Sequence, residues 1–281
     1  MEQYILTLRC DDASGIVLAI AQGVVEAGGN ILESAQYSDV VTGVFCVRMR
    51  IDAPEGSLEA ARAAIESRVS RFAPTLVYRP IAERQRALIM VSRFDHCLVD
   101  LLYRWERGEI PIDIPLVVSN HHDCRELVER HGIPFVHLPV TPDTKADAEA
   151  RLLELTAEHA IDFVVLARYM QVLSDDLCRE MSGRIINIHH SFLPGFKGAK
   201  PYHQAHERGV KIIGATAHYV TADLDEGPII EQDVVRVSHA RSAEELTMMG
   251  RDVERVVLSR AVRLHAENRV ALVGGRTVVF D

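Results

Sequence analysis

The chain has 281 residues, of which 48% are apolar and 25% charged, a composition typical of a globular protein with one large or two ordinary domains. Its formal net charge of -9 argues against a non-specific nucleic-acid binder, which needs a basic surface. The N-terminus lacks the basic and apolar regions of a signal peptide, and no apolar run reaches the ~18 residues of a membrane span. Five scattered cysteines without a C-x-x-C pair favour reduced thiols and a cytoplasmic location.

Residues 1–82 are expected to form a small domain of their own. Apolar and polar residues alternate over residues 4–10, which predicts a half-buried strand. Ser14 is the predicted cap of a helix that ends at Gly28 and Gly29. Two strands, a second helix and a closing strand follow. The order β-α-β-β-α-β is that of a ferredoxin-like sandwich, and the polar residues 80–86 are the predicted linker.

A different pattern begins at Ala87, with a continuous apolar run that indicates a strand buried on both faces. Predicted strands and helices alternate from there to Gly183, which favours a mostly parallel sheet with helices on both faces. Three strands separated by loops, a long amphipathic helix and two short strands are predicted after Gly183. We therefore expect a Rossmann-like α/β domain over residues 87–281.

The densest polar cluster lies in residues 184–206. A predicted strand brings Asn187, His189 and His190 to its carboxyl end, where open α/β sheets bind ligands. A second polar segment follows a strand that ends near His218, and it contains the acidic loop of residues 223–228. These two segments are the candidates for a functional site.

Asparagine and histidine at a strand end suit acyl chemistry on an amide, because both can hold the oxyanion of a tetrahedral intermediate. A carboxylate near His189 would orient the imidazole and accept a proton from attacking water. The sequence contains no G-x-S-x-G elbow that would indicate a serine nucleophile. From the pattern alone Asp225 is as easily a turn residue, since D-E-G-P is a strong turn sequence.

A zinc site is the alternative interpretation of the histidine-rich segment, with His189, His190, His203 and His206 as ligands. Structural zinc usually takes thiolates or more closely spaced ligands, and no H-E-x-x-H motif occurs. We therefore expect no metal.

The string N-x-H-x-S-x-L-P at residues 187–194, followed by D-x-G at residues 225–227, resembles the hallmark of the folate-dependent formyltransferase family. The resemblance implies that Asn187, His189 and Asp225 are catalytic. His190 stands where most of the family has proline, so His189 is the catalytic histidine by position. The family's folate cleft implies that the substrate-binding residues are Arg168, Tyr169, Met170, Gln171, Val172, Leu173, His218, Ala222 and Asp223.

Within that family the chain is most similar to members that hydrolyse 10-formyltetrahydrofolate to tetrahydrofolate and formate. Residues 94–105, 187–205 and 215–234 carry this similarity, which extends over essentially the whole chain. It implies a hydrolase without a cofactor that balances one-carbon folate pools and supplies formate for purine synthesis.

The turn after the strand at Ala87 helps to choose the reaction. Glycinamide ribonucleotide transformylases have a glycine-rich loop there, whose backbone N–H groups hold a phosphate. Residues 92–97 contain no glycine and one acidic residue, which favours water over a phosphorylated amine as the nucleophile. A transferase with the same residues remains one alternative. A non-catalytic folate or amino-acid sensor is the other, although binding alone would not require all three catalytic residues.

The N-terminal unit resembles ACT domains, which bind small effectors between paired units. This resemblance implies effector binding by Asp12, Gly15, Gly29 and Asn30, with methionine and glycine as effectors and a homo-oligomer formed by ACT pairing. The alternative is that these residues form ordinary turns. No nucleic-acid or membrane partner is expected.

Overall fold

The computed structural model describes residues 1–195 and 201–280. The chain divides into two compact units. Unit 1 consists of Met1–Arg84 with Asn268–Asp281, and unit 2 is Gln85–Glu267. In the described ranges, no helix is both long and apolar enough to cross a membrane.

Unit 1 is built on a four-stranded antiparallel sheet in the order β2-β3-β1-β4, with helices α1 and α2 and a separate C-terminal hairpin. Its elements are β1 Glu2–Asp11, α1 Ile16–Glu26, β2 Asn30–Asp39, β3 Val44–Ala53, α2 Leu58–Val69, a 3₁₀ turn Ser70–Phe72, β4 Thr75–Pro80, and the hairpin strands β12 Val270–Val273 and β13 Arg276–Val279. The predicted β-α-β-β-α-β order is confirmed. The core contains Leu6, Ile20, Ile51 and Ile65, all fully buried.

The start of α1 differs from the prediction. Gly15, not Ser14, occupies the N-cap, with φ 93° and no capping side chain. The left-handed conformation favours glycine there. The carbonyl of Gly15 accepts the first helical hydrogen bond, from Ala19.

The hairpin β12–β13 belongs to unit 1, so the expected second domain over residues 87–281 is wrong at its end. Val273 and Phe280 are buried in one apolar cluster with Cys46 of β3. An ion pair joins Arg276 to Asp39 at 2.7 Å. The hairpin therefore completes a small core for which the N-terminal residues supply only one side.

Unit 2 contains a seven-stranded sheet in the order β11-β10-β9-β8-β5-β6-β7. The strands are β5 Gln85–Val91, β6 Ile112–Ser119, β7 Phe135–His137, β8 Phe163–Leu166, β9 Ile185–His189, β10 Ile212–Tyr219 and β11 Ile229–Arg236. Five strands from β9 to β7 are parallel, as expected, whereas β10 and β11 are antiparallel to their neighbours. β5 begins at Gln85, two residues before the predicted start, which leaves only residues 81–84 as a linker.

The helices of unit 2 are α3 His96–Glu106, α4 Arg125–Arg130, α5 Lys145–Glu158, α6 Asp175–Glu180, α7 Pro201–Glu207 and α8 Ala243–Ala266. The predicted long helix is confirmed as α8, and Ser242 and Glu245 form a capping box at its start. α6 and α7 were not predicted. Each has at most two turns, too short for an apolar periodicity to be recognised.

Candidate active site

The order of the strands determines where on the sheet the site lies. β5 lies between β6 and β8, so the chain leaves β5 toward one edge of the sheet and returns to the other side through β8. Such a reversal opens a crevice at the carboxyl ends of the two strands, where α/β proteins bind ligands. The predicted folate segment begins directly after β8, at this crevice.

Asn187 and His189 lie two residues apart on β9, so their side chains point to the same face. β10 is antiparallel to β9, and His218 lies directly opposite Asn187. The pairing of β10 with β11 shifts register between Ala217 and His218. Such bulges re-aim side chains beside active sites, and here the three polar side chains converge.

The segment after β9 is held by Thr216. Its hydroxyl accepts a hydrogen bond from the Leu193 N–H at 3.0 Å and donates one to the Ser191 carbonyl at 2.9 Å. Gln232 on β11 donates to the Leu193 carbonyl at 3.1 Å. The string of residues 187–194 thus includes positions that fix the backbone beyond the strand.

Asp225 comes to this site from the acidic loop between β10 and β11. Its backbone is left-handed, with φ 57°, a conformation that aspartate tolerates better than most residues. Its Oδ1 lies 3.1 Å from Nδ1 of His189 and 3.8 Å from Nε2 of His218. The structure therefore brings the three predicted catalytic residues together.

The charge on Asp225 is favoured by its neighbours. Burial raises the pKa of this carboxyl, but the hydrogen bond and charge of His189, with smaller contributions from His218 and His190, lower it below its ordinary value. Nε2 of His189 is buried and has no hydrogen-bond partner among the described residues. Since Nδ1 faces the carboxylate, Nε2 is the atom available to a bound molecule.

His218 fixes the amide of Asn187. Nδ1 of His218 donates to the Tyr219 carbonyl at 2.9 Å, which leaves Nε2 as an acceptor for the Asn187 Nδ2 group at 3.2 Å. Burial lowers the pKa of His218, so its ring is neutral near pH 7. Among the described residues the second N–H of the Asn187 amide has no hydrogen-bond partner, so it can point at a ligand.

These groups line a cavity of about 520 Å³. The cavity also contains every predicted substrate-binding residue, namely Arg168, Tyr169, Met170, Gln171, Val172, Leu173, His218, Ala222 and Asp223. Leu166, Cys178 and Val220 add an apolar floor. A cavity of this volume with an apolar floor suits a flat heterocyclic ligand.

The glycine-free turn after β5 has a structural function. The Ser92 hydroxyl donates to Oδ1 of Asn120 at 2.7 Å and accepts the Met170 N–H at 2.9 Å. It therefore ties the turn to the predicted folate segment. Phe94 and His96, which follow it, line the cavity.

The sequence analysis did not identify a further part of the cavity wall, which includes Phe94, His96, Tyr202, Thr247, Arg251 and Glu254. A signal for Glu254 was present. It falls at helical spacing with Leu246 and Gly250 on the apolar side of α8, and all three are buried. A charged residue on an apolar stripe is uncommon without a partner.

Glu254 has three partners. Nε2 of His96 and the Tyr202 hydroxyl lie 2.8 Å and 2.7 Å from its two oxygens, and Nε of Arg168 lies 3.4 Å away. Burial raises the pKa of Glu254, but the hydrogen bond from His96, the charge of Arg168 and the hydroxyl of Tyr202 together lower it. The carboxylate is therefore ionised although it is only 1% exposed.

In the part of the chain that the structure describes, one group has spacing close enough to share a metal: His96, Cys97 and Glu254, whose ligand atoms lie within 4.8 Å of one another. Arg168 already places a positive charge beside Glu254. The four histidines considered as zinc ligands do not form such a group among the described residues.

The predicted effector residues of unit 1 do not meet within one copy. Gly15 lies at the start of α1, and Gly29 and Asn30 lie just beyond its end. The eleven residues of α1 separate them by about 16 Å. A Cβ on Gly29 would come 2.8 Å from the Asp52 carbonyl, so this glycine allows close packing within unit 1.

The free energy of unfolding of unit 2 is expected to fall as the pH is lowered from about 6.5 to about 4. Replacement of His190 by glutamine should make this decrease smaller. Burial, then the charge of Arg168, lowers the pKa of His190 to about 4. In this pH range the unfolded chain therefore binds a proton that the folded chain does not. This proton uptake lowers the free energy of unfolding by about 3 kcal/mol as the pH falls. Urea unfolding followed by the fluorescence of Trp105, the single tryptophan, measures this in unit 2.

The matched control is His239→Gln, at an exposed histidine outside the cavity. It should leave the pH dependence unchanged. If the free energy of unfolding depends on pH equally in wild type and His190→Gln, then His190 is not the group that takes up this proton.

Comparisons with known proteins relate this chain to a known family. Residues 85–262 match the formyl transferase family, which corresponds closely to unit 2. A formyltetrahydrofolate deformylase from Corynebacterium sp. (strain P-1) is 50% identical over 280 residues, covering 99% of this chain and 98% of that protein. The formyltetrahydrofolate deformylase of Escherichia coli (strain K12) is 40% identical over 284 residues, covering 100% and 99%.

Solved structures show the same relationship. The formyltetrahydrofolate deformylase of Burkholderia mallei has a TM-score of 0.96 at 49% identity and covers 100% of both chains. The glycinamide ribonucleotide transformylase 1 of Symbiobacterium toebii has a TM-score of 0.67 at 32% identity and covers 70% of this chain and 95% of its own. This similarity extends over both units and shows that the chain belongs to the formyltetrahydrofolate deformylase family.

Proposed function

We propose that the protein hydrolyses 10-formyltetrahydrofolate to tetrahydrofolate and formate, and that it thereby balances one-carbon folate pools and supplies formate for purine synthesis. The observation that carries the proposal is the position of His189, held by Asp225 at 3.1 Å on one side and facing the cavity with Nε2 on the other. The names of the full-length relatives support the substrate.

The reaction follows from this arrangement. A water oxygen attacks the formyl carbon as Asp225 accepts a proton from it. The formyl oxygen becomes an oxyanion that Nε2–H of His189 and the free N–H of Asn187 hold. The carbon–N10 bond then breaks as Asp225 gives the proton it took from water to N10. The formic acid that forms loses its hydroxyl proton to solvent and leaves as formate.

A transferase would need a space beside the formyl group for an amine acceptor and side chains that recognise it. The turn after β5 makes hydrogen bonds within the protein through Ser92. On another part of the cavity wall, Glu254 is already bound by His96 and Tyr202. These contacts favour water as the group that reacts.

Formate release from 10-formyltetrahydrofolate without any added amine is the decisive assay. Asn187→Ala is expected to lower kcat by about 10²–10³-fold, as loss of one oxyanion donor does, and His189→Ala and Asp225→Ala should lower it at least as much. Formate that appears only after an amine is added would indicate a transferase. Tight folate binding without turnover would indicate a sensor.

Gly227→Ala is expected to lower kcat by about 10²-fold. A Cβ at Gly227 would overlap the Tyr219 carbonyl and come within 3.2 Å of Nδ1 of His218. The loop must therefore move away from β10 and carry Asp225 with it, and a shift of about 1 Å has this effect on rate. Gly275→Ala, where a Cβ meets nothing within 4 Å, is the control; equal activity of the two variants would contradict the prediction.

We further propose that unit 1 is an ACT domain and that two copies pair to form a homo-oligomer. The separation of Gly15 from Asn30 along α1 supports a site that needs two copies. Exposed Leu18 and Val25 on α1, and Leu32 on the edge strand β2, supply an apolar surface for pairing. The proposed effectors are methionine and glycine, and the proposed location is cytoplasmic.

Isothermal titration with each amino acid tests the effector proposal, and light scattering of the eluted protein tests pairing. Binding of either amino acid that Asn30→Ala abolishes would support the proposed residues. Titrations without heat for both amino acids would refute regulation by them.

A further inference from the structure

Arg168 is a buried guanidinium whose hydrogen bonds are incomplete. It follows β8, has a left-handed backbone with φ 62°, and its side chain is only 10% exposed. Neither Nε nor Nη1 has a hydrogen-bond acceptor among the described residues. Burial of charged donors without acceptors is costly, so this position is suited to a ligand that supplies them.

Glu254 only partly meets this need. Its Oε2 lies 3.4 Å from Nε of Arg168 without a hydrogen bond, and its two oxygens already bind His96 and Tyr202. Arg251 adds a second guanidinium on the same wall, 5.3 Å from the Phe94 ring that Arg168 also approaches. Two guanidinium groups against one carboxylate leave this wall with positive charge.

The wall is part of the cavity that also contains His189. The ring of His190, whose environment includes the charge of Arg168, is 5.2 Å from the ring of His189 between centroids. Arg168 and His189 line the same cavity. We propose that Arg168 binds the carboxylate of product formate as it leaves the formyl site.

This inference rests on the proposed hydrolysis, which converts a neutral formyl group into an anion at this point of the cavity. One formate oxygen comes from the formyl group and the other from water. The planar guanidinium matches a carboxylate with two parallel hydrogen bonds. The substrate's glutamate is the other source of a carboxylate, but the rigid benzoyl ring holds it at the end of the molecule away from N10. The geometry therefore favours formate.

Direct binding of ¹³C-labelled formate, followed by NMR line broadening, tests the site without turnover. We expect Arg168→Gln to raise the dissociation constant at least tenfold, Arg168→Lys to retain part of the affinity because it keeps the charge, and Arg251→Gln to change it less than threefold. Trp105 fluorescence in urea confirms that each variant is folded. Equal affinity for wild type and Arg168→Gln, or an equal loss in Arg251→Gln, would overturn the proposal.

Kinetics distinguish the two carboxylates. Product inhibition by formate should weaken in Arg168→Gln. The ratio of the KM of Arg168→Gln to that of wild type should be the same for 10-formyltetrahydrofolate as for 10-formyltetrahydropteroate, which lacks the glutamate. A KM increase confined to the substrate with glutamate would assign Arg168 to that group and refute the formate site. A wild-type protein that releases no formate would refute hydrolysis, whereas the binding measurement would still decide whether Arg168 holds formate.

Discussion

Replacement of Asp225 by asparagine is expected to lower kcat for formate release by about 10³–10⁴-fold, a loss comparable to that of other histidine-orienting carboxylates. Asparagine has the same shape and also tolerates the left-handed backbone found at φ 57°. The loop should therefore keep its position. The variant loses the negative charge 3.1 Å from His189 and with it the group that accepts a proton from water. Steady-state kinetics should show a KM within a few-fold of wild type.

Glu226→Gln is the matched control, because it makes the same chemical change at the next residue of the loop. Glu226 is exposed and does not line the cavity. Its kcat should stay within threefold of wild type. An Asp225→Asn variant with a tenth or more of wild-type kcat would show that His189 works without this carboxylate, and the proposed mechanism would be wrong.

A large loss of stability is expected when the buried carboxylate of Glu254 is removed. Glu254→Ala is expected to lower the free energy of unfolding of unit 2 by about 3–5 kcal/mol, because it leaves the buried charge of Arg168 without its carboxylate. The Tyr202 hydroxyl and the His96 ring lose their partner in the same change. Urea unfolding followed through Trp105, which lies in α3 of unit 2, measures the difference.

Asp252→Ala on the same helix is the control. Asp252 is 70% exposed and pairs with Arg255 at 3.0 Å, an interaction that contributes about 0–1 kcal/mol. If the two variants differ by less than about 1 kcal/mol, then the buried carboxylate is not important for the stability of unit 2.

The sequence predicts best the part of the site whose residues lie close together in the chain. The period of two along β9 is sufficient to place Asn187 and His189 on one face at the end of a strand. Asp225 is different, because its contact with His189 depends on the antiparallel pairing of β10 and on a left-handed loop residue. Neither feature has a local pattern, and only the resemblance to a family identified Asp225.

The contact between Arg168 and Glu254 shows a second limit of prediction from sequence. Glu254 and Arg168 lie 86 positions apart in the sequence. The place of Glu254 on the apolar side of α8 indicates that it has a partner, but nothing local identifies that partner as Arg168. Their mutual burial depends on how α8 packs against the sheet, where it contacts β9, β10 and β11. In the same way, a C-terminal hairpin can be predicted from alternating residues, but nothing local in it specifies the Cys46 face of unit 1 on which it packs.

The discontinuity of unit 1 has a consequence for synthesis on the ribosome. Met1–Arg84 emerges early, but β12 and β13 cannot reach it until all of Gln85–Glu267 has been translated. At ~5–20 residues per second this delay is roughly 10–40 s. Throughout that time the face around Cys46 is exposed on the nascent chain, where a chaperone or a neighbouring nascent copy can contact it. A fragment ending at residue 84 would keep that face exposed permanently, so an isolated unit 1 needs residues 268–280 joined to it by a linker.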